Sequence, residues 1–250
     1  MGSGGFLCIL DKTHKNLRGN WVMKIFYEGL DVEKYAQHPA VEGFITNCTF
    51  FSRGDCKNYT EFYGRHRDRV GGKRCLSLQT WEYGDLGIAQ MDAIYAIDPT
   101  LYIDIPILDC NNDINERVIC YAVSKNMRIN ITAVYTYTHI SIAYDYIKKL
   151  KNDAIISVFA GGISDSGLDP SPFIAHAKRL FREMPNVKIL WAGCRELYTI
   201  KCAEESGCDI IALPGGLLDT LHLVDSDLDK MSVGMVYGWR NDAIDGGLSI

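Results

Sequence analysis

The chain has 250 residues, 47% hydrophobic and 23% charged, an ordinary globular composition with enough length for one large core. Its net charge of −5 argues against a nucleic-acid-binding or membrane-surface protein, whose electrostatic footprint would be basic. No apolar stretch approaches the roughly 18 residues needed to cross a bilayer.

The opening stretch, MGSGGFLCILDKTHKN, carries an apolar run shorter than the roughly 7–15 residues of a signal-peptide core. Residues 1–20 read as an extension. Short β-branched or apolar runs then alternate with helix-length segments. The runs are VMKIFYE (22–28), EGFIT (42–46), RCLSLQT (74–80), LYIDI (101–105), RINITAVY (128–135), AIISVFAGG (154–162), VKILWAG (187–193) and DIIALPG (209–215). Between them lie amphipathic stretches such as NERVICYAVSKN, HISIAYDYIKKLKND and FIAHAKRLFREMP, with Gly, Asn or Pro at their ends. Units of this kind, repeated to about 250 residues, predict a single-domain (β/α)8 TIM barrel over 1–250 with a C-terminal tail at 223–250. An open doubly wound sheet fits less well, since no GxGxxG follows the first strand.

The nine cysteines form no C-x-x-C pair. An odd count without an export signal predicts reduced thiols and a cytoplasmic protein, so the N-x-T triplets at Asn47, Asn58 and Asn130 are not expected to carry glycans. The six histidines show no paired spacing, and neither a metal nor a cofactor is expected. Glu28, Asp104 and Asp109 are the one oxygen set that could converge on Mg2+.

In a (β/α)8 barrel the chemistry sits at the C-terminal ends of the strands. Those ends carry Glu28, Thr46-Asn47, Gln79, Asp104, Asn130 with Thr132, Ser157 with Phe159, and Arg195 just past the seventh run. Apolar residues dominate the other ends. Polar groups recurring at one end predict a pocket lined by amides and carboxylates, although a helix N-cap explains any single one equally well.

Several stretches, in order, resemble transaldolases and the related fructose-6-phosphate aldolases. KIFYEGLDVEKYAQHPAVEGFITNC resembles the family's first strand ending in Asp, then a helix and a G-x-T-T-N-P strand. RINITAVYTYTHISIAYDYI is similar to its G-I-x-x-N-x-T strand, and AIISVFAGGISDSGLDP to I-S-x-F-x-G-R-I-x-D-x-G-x-D-P. KILWAGCREL resembles I-L-W-A-S-x-R-E, and VYGWRNDAIDG the closing F-x-x-D-A. The likeness is collinear over roughly residues 22–245. It implies a transaldolase-like barrel, a sugar or sugar-phosphate substrate, transferase or aldolase chemistry and a homo-oligomer.

The resemblance also implies a Schiff-base lysine in a V-K-I-P-x-T strand, which attacks a ketose carbonyl. Here the strand reads Ile103-Asp104-Ile105-Pro106, with Asp104 at the lysine position. Every other lysine falls at a strand's N-terminal end (Lys24, Lys188), in or beside a helix, in the connection after the second strand, or in the terminal segments. A carboxylate forms no imine. Other positions depart too: the family's first-strand Asp is Glu28, its third-strand Glu is Gln79, and its phosphate-binding Arg and Ser are Gly162 and Gly193. Arg195 remains as the expected anion contact. The basic segment 52–74 could add Arg65, Arg67 or Arg69, although a solvated mixed-charge helix is the simpler account.

The expected enzyme therefore acts on a keto sugar or sugar phosphate by acid–base chemistry: isomerisation, epimerisation or aldol-type cleavage without an imine. Asp104, Glu28, Gln79 and Thr132 would be catalytic, and Asn47, Asn130, Ser157, Phe159 and Arg195 would bind substrate. Mutual repulsion is expected to split Glu28 and Asp104 into an acid and a base. Alternatives are conventional transaldolase or aldolase activity by another route, and a non-catalytic sugar-binding or scaffold protein.

Overall fold

Eight parallel strands close on one another in a computed structural model that describes residues 23–70 and 74–250. In chain order the elements are β1 (Lys24–Glu28), α1 (Val32–Tyr35), β2 (Val41–Ile45), α2 (Cys48–Arg53), α3 (Tyr59–Val70), β3 (Cys75–Gln79) and α4 (Gly84–Ile97). Next come β4 (Tyr102–Pro106), α5 (Glu116–Ser124), β5 (Ile129–Val134), α6 (Tyr137–Ile147), β6 (Ala154–Val158), α7 (Ala160–Asp165) and α8 (Ser171–Leu180). The chain finishes with β7 (Val187–Trp191), α9 (Tyr198–Glu205), β8 (Ile210–Pro214), α10 (Gly215–Asp219), a 3-10 turn (Leu221–Leu223) and α11 (Leu228–Asp245). Consecutive strands pair throughout, and β8 returns to β1 with Ile211 opposite Ile25. This is the (β/α)8 TIM barrel that the alternation of elements predicts.

Strand alternation builds two cores. Outward residues such as Ile25, Phe44, Leu78, Ile103, Ile131 and Trp191 are buried against the helix layer. Inward ones, among them Phe26, Ile155, Leu190, Ile210 and Ala212, fill the barrel. Each such side chain contributes roughly 1.5–3 kcal/mol of burial, which fixes the register and aims the alternate residues above them at the mouth. Local caps punctuate the helices: Asn47 Oδ1 accepts from Phe50 N at the start of α2, and Thr136 Oγ1 from His139 N at the start of α6.

The expected runs differ from the strands by up to four residues at an end. The largest difference is at 154–162, where the strand stops at Val158 and α7 starts at Ala160. Backbone contact forces that turn, since a Cβ on Gly161 would lie 1.7 Å from the Gly193 carbonyl oxygen. Phe159 thus occupies a helix N-cap position rather than a strand. The expected extension at 1–20 lies outside the described residues. Within the expected tail, residues 228–245 form a helix none of whose residues is buried.

Candidate active site

Asp104 lies midway along β4 and points into the barrel, 3% exposed. Its neighbours across the sheet are Gln79 on β3 and Asn130 on β5. A small cavity of about 40 Å3 at the mouth is lined by Glu28, Thr46, Asn47, Gln79, Asp104, Asn130, Thr132, Ser157 and Phe159, over an apolar floor that includes Leu190 and Ala212. Arg195 is not among its lining residues. It stands outside, its guanidinium forked onto Asp165 with Nη2 2.6 Å from Oδ2.

The polar groups hold one another in place. Ser77 Oγ donates to Asp104 Oδ2 at 3.0 Å, and Ser157 Oγ to Asn130 Oδ1 at 2.7 Å. Thr80 Oγ1 donates to the Asp104 backbone carbonyl, and Thr46 Oγ1 to that of Ser77. Gln79 Oε1 accepts from Cys48 N at 3.1 Å, while the Tyr59 hydroxyl donates to the Gln79 backbone carbonyl at 2.7 Å. The first bond orients the Gln79 amide and the second fixes its backbone. No protein hydrogen bond of normal geometry reaches Asp104 Oδ1 among the described residues.

That arrangement sets the proton affinities. Burial pushes the Asp104 carboxyl up to about 7; the Asn130 amide and the Ser77 hydroxyl pull it down, and Glu28 adds a smaller upward push. Glu28 is itself raised by burial, with Arg195 opposing the rise. Burial, rather than the expected mutual repulsion, is therefore the main cause for both. A carboxyl near 7 exchanges its proton readily at neutral pH, as a general acid or base must.

Other candidate contacts do not form among the described residues. Asp109 does not join Glu28 and Asp104: its Oδ1 accepts from Asn111 N and Asp113 N in its own loop. Among the described residues, no group of three or more His, Cys, Asp or Glu side chains comes together to hold a metal, and no lysine lines the cavity. Arg65 pairs with Glu61 and Arg69 with Glu33, which matches the solvated-helix account of α3. Ser77 and Tyr59 were not expected. Ser77 could have been found by alternation, since it precedes Gln79 by two residues and must share its face; nothing local marks Tyr59.

Gly162 and Gly193 replace the phosphate-binding Arg and Ser that the resemblance implied. The ring of Tyr135 now occupies part of that space, since a Cβ on Gly162 would lie 2.6 Å from its Cε1. Tyr135 also packs on Phe159, with ring centroids 5.4 Å apart.

Among solved structures, the chain resembles a protein from Burkholderia cenocepacia J2315 provisionally described as a lyase/mutase, at 13% identity and a TM-score of 0.52. The match covers 92% of this chain and 87% of that one. A protein from Sinorhizobium meliloti, provisionally described as an isomerase, matches at 10% identity and a TM-score of 0.53, over 77% of this chain and 50% of that one. At these identities the likeness concerns the fold alone. No curated protein sequence matches the chain. The sequence profile of the Transaldolase/Fructose-6-phosphate aldolase family matches residues 86–235, from α4 into the first half of α11 and so across the strands that carry Asp104, Asn130, Thr132 and Ser157. The chain belongs to the transaldolase/fructose-6-phosphate aldolase family.

Proposed function

We propose that the protein is an enzyme of carbohydrate metabolism that transfers protons on a keto sugar or its phosphate without forming an imine. One observation carries this reading: a buried carboxyl with a pKa of about 7 faces the cavity from the position where the family's pattern has its lysine. Asp104 takes the proton from the carbon beside the substrate carbonyl, and Glu28, whose proton affinity burial also raises, donates to the carbonyl oxygen. The Asn130 and Gln79 amides and the Thr132 hydroxyl hold the enediol oxygens. Returning the proton to the neighbouring carbon, as the other enediol hydroxyl gives its proton to the Glu28 carboxylate, gives isomerisation. Protonating the original carbon on its opposite face, as the carbonyl oxygen returns its proton to Glu28, gives epimerisation. Deprotonating a β-hydroxyl instead gives aldol-type cleavage.

The test is solvent exchange. Ketoses and their phosphates incubated in D2O should take up deuterium at the α-carbon, with a pH limb near 7 that Asp104→Asn removes together with turnover. Borohydride trapping of an enzyme–sugar adduct would instead support the conventional imine route, and binding without exchange would support a non-catalytic sugar-binding protein.

We also propose one domain over 1–250 and a homo-oligomer, the latter because α11 presents Met235, Tyr237 and Trp239 to solvent. The unpaired thiols among the described residues support a cytoplasmic setting.

A further inference from the structure

The cavity around Asp104, at about 40 Å3, has space for little more than one water molecule. A keto sugar can place only its reacting end there. The remainder lies at the rim, and the rim's composition decides what that remainder is.

Two features of the rim turn away charge. Arg195, the cation whose charge acts on Glu28, is already forked onto Asp165 by three contacts between 2.6 and 3.5 Å. A phosphate would have to displace Asp165 or share the guanidinium with it, within reach of the charge of Glu28. At Gly162 the position that could carry a second cation has no side chain, and Tyr135 lies against its backbone. What the rim offers instead is aromatic. Phe159 lines the cavity, and Tyr135, 40% exposed, continues its surface outward at a 38° tilt. Ring faces carry partial negative charge and attract the weakly positive C–H face of a sugar, while repelling a dianion.

We propose, on the keto-sugar reading above, that the rim selects uncharged substrates: the part of the sugar outside the cavity is an unphosphorylated, hydroxylated chain or ring packed on Tyr135 and Phe159. Arg195 and Asp165 then act as a neutral hydrogen-bonding pair toward its hydroxyls.

Calorimetric titration of the full chain with matched pairs tests this: dihydroxyacetone, fructose and xylulose, each against its terminal phosphate. The neutral member of at least one pair should bind about ten-fold or more tighter than its phosphate, a difference of about 1.4 kcal/mol. Tyr135→Ala should weaken neutral-sugar binding about ten-fold, and Tyr135→Phe should retain it, as expected for a stacking surface. Asp165→Asn should narrow the gap by freeing Arg195 for phosphate. Tighter binding of the phosphates by the wild type overturns the proposal, as does a Tyr135→Ala variant with unchanged neutral-sugar affinity. Binding of neither member of any pair overturns it together with the keto-sugar assignment. Selective neutral binding without deuterium exchange leaves it standing and removes only the proton-transfer chemistry.

Discussion

Asp104 combines two opposed demands. Its carboxyl must be buried to hold a proton near neutral pH, and that burial costs stability whenever the group ionises. The unfolded chain releases this proton near pH ~3.9, the ordinary carboxyl range, whereas the folded chain holds it to about 7. Between those values the folded state binds more protons, so stability falls as pH rises, and the full penalty is present above the folded pKa. Asp104→Asn keeps the shape and has no proton to lose. Denaturant unfolding should show it more stable than the wild type at pH 8, by on the order of a few kcal/mol, and nearly equal at pH 4. No difference at pH 8 would mean that the carboxylate is well solvated. The position of Asp104 was legible in the sequence through the Ile-Asp-Ile-Pro run. Its hydrogen-bonding surroundings were only half legible: Asn130 stood among the expected site residues, whereas Ser77, which donates to Oδ2, did not. Alternation places Ser77 on the face of Gln79, yet a serine within a strand carries no further mark that separates a ligand from filler. Asp165 escaped for a different reason, since it meets Arg195 across 30 residues of sequence only once α7 and the loop after β7 converge.

Among the elements, β5 departs most from regular geometry. Its pairing with β6 slips between Ile131 and Val134, and Ala133 has φ +57° in the left-handed region. An alanine there costs roughly 1–2 kcal/mol, and a β-branched residue more. The slip includes Thr132, a residue of the cavity lining, and precedes Tyr135 on the rim. Ala133→Gly should therefore leave thermal stability within about 1 kcal/mol of the wild type, the strain relieved offsetting the added chain entropy. Ala133→Val should destabilise by about 2 kcal/mol or more. Equal melting temperatures for the two variants would show that the strain is absent in solution. None of this was legible, because N-I-T-A-V-Y reads as uninterrupted strand. The eight strands themselves were legible, since each is a short apolar or β-branched run of the kind that a strand buried on both faces carries. Their ends were not, because Phe159 and Ala160 continue an apolar run while contact between the Gly161 and Gly193 backbones decides where the chain turns.

At the scale of the whole molecule, the barrel and α11 stand apart. Leu228, Met231, Val233, Met235, Tyr237 and Trp239 are all exposed, an apolar density that a lone helix rarely leaves in water. The sequence suggested only a tail here, since periodicity cannot say what a helix packs against. Deleting residues 228–250 should leave the stability of the barrel within about 0.5 kcal/mol, because no residue of α11 is buried. Light scattering should show the intact chain associated and the truncated chain monomeric; an intact chain that is monomeric at micromolar concentration ends the oligomer proposal. The closure of β8 onto β1 has a further result. A barrel has no edge strand from which to fray, so its amides have no weak side at which exchange with solvent can begin. In deuterium-labelling mass spectrometry, peptides from all eight strands should lose protection together and last, as one cooperative unit. Those from α11, where self-association is prevented by dilution, should exchange long before them.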